Sequence, residues 1–506
     1  MQGQGKVWLA GAGPGDAGLL TLKALRVLRK ADIILYDNLV GPGVLSLFPP
    51  DAQTVYVGKR GGKHAMPQGE LNRLLIQKAR EGKRVVRLKG GDPLLFGRGG
   101  EELEALAEAR VPFAVIPGIS AAIAVPGYFG IPLTRRDCSS QVHLVTAHCR
   151  DGASALDWKA LVQAGGTLVI FMGAASVEAV CRSLMEAGMP PGALAALLER
   201  GTSARQKKVI APLDRLAAEA AKQSCKPPAL IVAGGVCVYS DKLSWYEKQP
   251  LAALRIGVTR PRDRAKELCS LLAGAGAEAV QIPVIQTRII EETPRLRQAL
   301  HEAAQSGAAD WLVFTSPRGV ERFFEKLKTY RIDIRRLKAL KFAAIGSATS
   351  AELEKRGLIV DVVPAHFSGE ALCGALLGAV KSGERVILPR SSLGGAYITD
   401  TLRNAGIECL DIPLYETINA GQPADAVYWE RLIEDLDLCV FTAASTVKAF
   451  AARFGPHTLS GLGAFCIGKE TAAAAEAYGA KTFIAENATV EAIVQGITSA
   501  RNRGLL

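Results

Sequence analysis

The sequence predicts an α/β protein built on largely parallel strands, with an N-terminal region followed by a two-lobed one. Three observations carry that expectation. Short apolar or β-branched runs alternate with longer helical patterns from Val7 to about Tyr239, as in VWLAG, LLTLKALRVLRKA and IILYD. Glycines and ionisable residues cluster directly after those runs. From Arg255 onward the chain repeats its own pattern once.

The 506 residues suffice for about three domains at about 150 residues each. A composition of 49% hydrophobic and 22% charged residues is ordinary globular usage and argues against disorder. No apolar run reaches the roughly 18 residues needed to cross a bilayer, because stretches such as SAAIAVPGYFGIPL are broken by Pro126, Gly127, Gly130 and Pro132. The start, MQGQGKVWLAG, lacks a basic segment followed by a long apolar one, so the expectation is a cytoplasmic protein with no membrane partner. Ten cysteines without a C-x-x-C pair and six histidines without an H-x-x-x-H pair point to reduced thiols and no metal site. The net charge of +12 favours an acidic partner such as a phosphate, RNA or a polycarboxylate. The bases form no run with interleaved aromatics, and no nucleic-acid partner is expected.

In open α/β sheets ligands bind beyond the carboxyl ends of the strands, so the residues just after each apolar run matter most. They are Gly13 and Pro14 after VWLAGA, Asp37 after IILY, Lys59 after VYVG, and Gly90, Gly91 and Asp92 after VVRLK. Gly118 and Ser120 follow FAVIP, His148 follows HLVTA, and Met172 with Gly173 follows TLVIF. GAGPGDAG, from Gly11 to Gly18, is not the G-x-G-x-x-G dinucleotide fingerprint, and its aspartate would repel a pyrophosphate at the helix N-terminus. GGDPLLFGRGG lacks the GK[ST] ending of a phosphate loop. Taken singly, these glycines would also fit a simpler reading in which they merely make tight turns.

DKLSWYEKQPLAAL, of mixed charge and carrying Pro250, reads as a linker; its expected bounds are 246–253. Beyond it, RIGVTR at Arg255 corresponds to RVILPR at Arg385, and AGAEAVQIPVIQT to AGIECLDIPLYET, both offset by 130 residues. DWLVFTSPRGV from Asp310 matches DLCVFTAASTV from Asp437 at an offset of 127, and FAAIGSAT matches AFCIGKET at 122. Four blocks in one order at near-constant spacing predict two similar α/β lobes with a cleft between them.

GAGPGD, YVGKRGGKHAMPQGELN, VVRLKGGDPLLFGRGGEE, VIPGISAA, GIPLTRRD and LVIFMG occur in that order, and over residues 5–245 together they closely resemble the uroporphyrinogen-III C-methyltransferases of the tetrapyrrole methylase family. The resemblance implies a domain over 1–245 with the methylase fold of two α/β subdomains, S-adenosylmethionine as cofactor and a homodimer formed through this half. It places cofactor contacts at Pro14, Gly90, Gly91, Asp92, Leu95, Ser120, Ala121, Met172 and Gly201. It matches Asp37 and Lys59 to a proton acceptor and donor, and Arg98, Glu101 and Arg136 to positions that hold or deprotonate the macrocycle. An exposed ion pair at a helix start is the plainer account of Arg98 and Glu101. TAHCR departs from the family, which commonly has glycine before the histidine, and His148 is read as structural.

The second half resembles uroporphyrinogen-III synthase over 254–503, through VTRP, VFTSPRGV, AAIGSATSAEL, VPAHFSGEAL and CIGKETAAA. The resemblance implies a synthase domain over 254–506 in which one lobe takes 254–287 and 417–503 and the other takes 288–416. Hydroxymethylbilane would lie between them and close with inversion of its last ring. Thr315 and Thr471 match positions tied to activity; Ser316, Thr442 and Ser445 are further hydroxyl candidates, and Tyr415 is chosen for its place near the lobe junction. Helix capping is the plainer role for these hydroxyls. The whole reads as a bifunctional enzyme making precorrin-2 for sirohaem or cobalamin, without the dinucleotide unit that a dehydrogenase or ferrochelatase step would need. Two alternatives stay open at this point: a related methylase acting on RNA or protein, and a two-lobed half that only binds.

Overall fold

The computed structural model describes residues 5–58, 66–147, 156–306, 310–420 and 426–506. It forms two compact units, Met1–Val284 with Gly421–Leu506, and Ile285–Ala420. The first unit opens with β1 (Lys6–Gly11), β2 (Ile33–Tyr36), β3 (Gln53–Tyr56), β4 (Arg84–Lys89) and β5 (Phe113–Ile116). They form one sheet in the order β3-β2-β4-β1-β5, with every pairing parallel. Successive residues of β2 explain its unbroken apolar run: Ile33 and Leu35 face a cluster with Leu75, Val85 and Leu106, while Ile34 and Tyr36 face one with Leu28, Val86 and Leu88. Helices cover both faces, so neither side of the strand reaches water.

The second sheet holds β6 (Val142–Thr146), β7 (Thr167–Phe171), β8 (Leu194–Glu199), β9 (Lys207–Pro212) and β10 (Ala229–Ala233), in the order β6-β7-β10-β8-β9. Here the expectation of largely parallel strands is corrected. Only β6 and β7 are parallel neighbours; β7–β10, β10–β8 and β8–β9 are antiparallel. Two features cause this. The link Arg200–Gln206 is too short for a crossover helix, so β8 and β9 make a hairpin. Strand β10, the last of this sheet in the sequence, lies between β7 and β8 and runs against both.

From Arg255 the chain lays down β11 (Arg255–Val258), β12 (Glu278–Gln281), β13 (Ile285–Ile289), β14 (Trp311–Phe314), β15 (Lys341–Ala344), β16 (Val386–Ser391), β17 (Cys409–Asn419), β18 (Leu438–Phe441), β19 (Gly463–Cys466) and β20 (Lys481–Ile484). One sheet has the order β12-β11-β18-β19-β20 and is parallel throughout. The other has the order β13-β17-β16-β14-β15, parallel except for the β13–β17 ladder. That ladder pairs Ile285 to Thr287 with Asn419 to Thr417, so the lobe encoded by the middle of this half, here the inner lobe, runs Ile285–Ala420, a few positions outside the junctions read from the sequence.

The internal repeat now has a structural form. Strands β11 and β12 of the first copy correspond to β16 and β17 of the second, and β14 and β15 to β18 and β19. The sheet orders β12-β11-β18-β19 and β17-β16-β14-β15 are therefore the same order, but each sheet combines half of one copy with half of the other. An Arg–Asp pair marks the equivalence. Arg385 N–H donates to Asp310 and Arg255 N–H donates to Asp437, in each case at the start of paired strands from different copies.

Candidate functional site

At the carboxyl edge of the first sheet, the loops after β1, β4 and β5 converge backbone on backbone. Gly91 N–H donates to Gly13 O at 2.7 Å and Gly13 N–H donates back to Gly91 O at 3.3 Å. A Cβ on Gly11 would meet Gly118 Cα and Gly91 O at 2.5 Å, and one on Gly118 would meet Gly91 O at 2.2 Å. Only glycine permits that approach. Gly90 is hemmed in likewise, its added Cβ lying 2.4 Å from Leu39 Cβ.

Asp92 locks the cradle, accepting from Leu94 N–H at 2.9 Å with Oδ1 and from Gly118 N–H at 3.0 Å with Oδ2. Ser120 caps the helix Ala121–Tyr128 through its hydroxyl, which accepts from Ala122 N–H. Gly201 packs on Val125 of that helix, and Thr202 Oγ1 accepts from Asp16 N–H at 3.3 Å, which brings the β8–β9 hairpin to the loop holding Pro14. Leu95 is half-buried in the loop after β4; its neighbour Phe96 packs its ring against that of Phe171 at 5.0 Å with the planes tilted by 55°, beside Met172. Met172 itself is 52% exposed at φ 56°. The structure thus gathers Pro14, Gly90, Gly91, Asp92, Leu95, Ser120, Ala121, Met172 and Gly201 around one edge.

Asp37 follows β2, half-buried, with Oδ1 accepting from Leu39 N–H at 3.1 Å and Oδ2 lying 3.4 Å from Arg87 Nη2. Arg98 and Glu101 form a bidentate pair at 2.8 and 2.6 Å in the first turn of the helix Gly99–Glu108, each side chain 47% exposed. The carboxylate raises the guanidinium above its usual range. Arg136 is exposed on the segment before β6. Lys59 and His148 lie outside the described residues.

Sequence reasoning missed a buried charge cluster behind this edge. Glu102 is fully buried, and its Oε1 accepts from Lys89 Nζ at 2.9 Å and from Arg87 Nε at 3.3 Å, while Oε2 has no hydrogen-bond partner among the described residues. Burial, then the charge of Arg87, lowers the Lys89 ammonium below its usual range. The signal was two bases spaced by two in the apolar run VVRLK, ahead of a second glutamate in GGEE. Because Glu102→Ala would strand the buried Lys89 ammonium and leave Arg87 with Asp37 as its carboxylate partner, it should destabilise the protein by about 3–5 kcal/mol in urea unfolding. Arg98→Ala, which breaks only an exposed pair, should cost less than about 1 kcal/mol in the same experiment.

In the inner lobe, Ser316 caps the helix Pro317–Tyr330, and its Oγ lies 3.0 Å from Tyr415 Oη. Thr315, half-buried, precedes it at the end of β14. In the other lobe Thr442 is half-buried after β18, but the cap there is Ala443, and Ser445 sits exposed within the helix Ala444–Phe454. Thr471 is buried at 4% exposure in the helix Lys469–Glu476, as its repeat counterpart Thr349 is at 2%.

A family model for uroporphyrinogen-III synthase HemD matches residues 266–495, and one for tetrapyrrole (corrin/porphyrin) methylases matches residues 6–217. The porphyrin biosynthesis protein HemD of Ruminiclostridium josui is 37% identical over 491 residues, 97% of either chain. The chain belongs to that family. It is a bifunctional enzyme of tetrapyrrole biosynthesis, a methylase joined to a uroporphyrinogen-III synthase. The methylase–synthase is also similar to the uroporphyrinogen-III C-methyltransferase of Bacillus subtilis (strain 168), at 38% identity over 361 residues, 71% of this chain and 73% of that one. Against the siroheme synthase of Ectopseudomonas mendocina (strain ymp) it is 48% identical over 243 residues, 48% of this chain, and it spans about half that relative's length, 53%. Among solved structures it is similar to the uroporphyrin-III C-methyl transferase from Thermus thermophilus complexed with S-adenyl homocysteine, at 38% identity and a TM-score of 0.40, covering 46% of this chain and 98% of that one. No helix among the described residues is long and apolar enough to cross a membrane.

Proposed function

We propose that the C-terminal half closes hydroxymethylbilane to uroporphyrinogen III, and that the N-terminal half methylates this product twice with S-adenosylmethionine, giving precorrin-2. The observation that supports the reading is the glycine junction of Gly11, Gly91 and Gly118, where three loop backbones meet beside the Asp92 carboxylate at the carboxyl edge of the first sheet. Such a rim suits a ligand that carries a cation, an amino acid and a nucleoside but no phosphate. When bound there, S-adenosylmethionine supplies an electrophilic methyl group.

The protein's share is then positional and protolytic. The loops holding Pro14, Gly90 to Asp92, Ser120 and Gly201 would fix the donor, and Arg98, Arg136 and Lys59 would orient the polycarboxylate macrocycle through charge-assisted hydrogen bonds. Asp37 is the favoured group to take the ring proton released after attack, with Glu101 as the alternative base. In the synthase half the work is confinement of a reactive intermediate, for which Thr315, Ser316 and Tyr415 on the inner lobe and Thr442, Ser445 and Thr471 on the other are the proposed contacts. Thr471 and Tyr415 are buried, which favours support of neighbouring groups over direct contact for these two. The family resemblance also supports a cytoplasmic homodimer joined through the methylase half, serving sirohaem or cobalamin.

Whole protein incubated with hydroxymethylbilane alone should yield uroporphyrinogen III, and with S-adenosylmethionine added it should yield precorrin-2. Formation of only the uninverted isomer would remove the synthase reading, and an unmethylated isomer III would remove the methylase one.

A further inference from the structure

The hairpin link Arg200–Gln206 touches two sites at once. At one end Gly201 and Thr202 border the proposed donor pocket. Thr202 is buried and holds φ at 68°, a left-handed conformation that a β-branched residue keeps only when its surroundings enforce it. At the other end the link is bolted to the synthase. Ala204 N–H donates to Glu278 Oε2 at 2.8 Å. The Arg205 guanidinium donates to Asp435 Oδ1 at 2.9 Å, to Asp435 O at 2.8 Å and to both Asp437 oxygens at 2.9 and 3.1 Å, and reaches Ala253 O at 3.2 Å.

The internal repeat provides a control for this contact. In the inner lobe, the aspartate at the start of β14, Asp310, is held by the guanidinium of its own lobe's Arg385 at 2.8 and 3.3 Å. In the lobe built on the sheet β12-β11-β18-β19-β20 the equivalent Arg255 turns its guanidinium to Glu278 and Asp435, and the bidentate place on Asp437 is taken by Arg205 of the methylase. A carboxylate that one lobe uses to tie itself together is, in the other, presented to the neighbouring domain. Asp16, whose N–H meets Thr202, is braced from a second side: its Oδ2 accepts from Tyr128 Oη at 2.6 Å, and Tyr128 packs on Trp245 and Tyr246 just before the synthase.

We propose that Arg205 is a positioning residue for methyl transfer, through which the synthase lobe holds the Gly201–Thr202 segment in the shape that accepts the methyl donor. This rests on the donor pocket proposed above. The test uses the full chain, titrated calorimetrically with S-adenosylhomocysteine, alongside steady-state methylation and thermal unfolding. Arg205→Ala should weaken binding and raise the KM for S-adenosylmethionine about tenfold, with kcat within about twofold. Asp435→Asn with Asp437→Asn, which keeps side-chain shape, should reproduce the change; the combined variant should be no worse than either, and Arg205→Lys should recover part of the affinity. Should Arg205→Ala fold poorly, the two asparagine changes alone decide. Wild-type affinity in folded variants from both sides of the contact would overturn the proposal and leave the donor pocket standing. An unaltered chain that takes up no S-adenosylhomocysteine would remove both.

Discussion

Asp37→Ala should lower the methylation rate at saturating donor by about 10²–10⁴-fold while leaving S-adenosylhomocysteine affinity within about twofold. The asymmetry follows from position. Asp37 stands just after β2, tied to Leu39 N–H and facing Arg87, so its hydrogen bonds among the described residues lie apart from the junction of Gly11, Gly91 and Gly118. A group that takes a proton after attack affects turnover, whereas donor binding depends on the junction. Rapid-quench measurement of methyl transfer beside calorimetry separates the two, and unchanged turnover would take Asp37 out of the mechanism.

Gly118→Val should produce the opposite pattern, a loss of donor affinity of about 100-fold or more, as expected when a well-fitted site is displaced by about an ångström. The first side-chain carbon would already lie 2.2 Å from Gly91 O and 2.7 Å from Gly11 Cα, all backbone, so no rotamer change relieves the clash and the three loops must part. Parting them also strips Asp92 Oδ2 of its Gly118 N–H donor. Synthase turnover in the same variant should persist, since Gly118 lies in the methylase half. A variant that bound S-adenosylhomocysteine normally would show that the donor sits elsewhere.

What could be read from the sequence, and what could not, follows from the range of each signal. Strand and helix rhythm is local, so the α/β class was legible, and the repeat offsets marked β11 with β16 and β14 with β18 as equivalent strands of the two copies. Strand direction in the second sheet is not local. Nothing in ALIVA tells that β10 slides between β7 and β8. At the site, glycines after strands marked Gly90, Gly91 and Gly118, because a missing side chain is visible in the sequence itself. Arg87, Lys89 and Glu102 escaped notice because charged residues default to the surface, and only burial reveals them as a cluster. Arg205 sits in ARQKK, a stretch that reads as a solvated turn, and its partners Asp435 and Asp437 lie some 230 residues further on.

The exchange of half-repeats between the two synthase sheets sets a timetable for the nascent chain. Strand β11 emerges from the ribosome well before its neighbour β18, which is translated only after the entire inner lobe, so this strand pairing is the most widely separated in sequence among the described residues. Asp435 and Asp437 arrive with that late segment. The methylase completes its own two sheets long beforehand, but the fastening of its Gly201–Thr202 segment waits for the last portion of the polypeptide, so the first catalytic half is finished only when the second has been made.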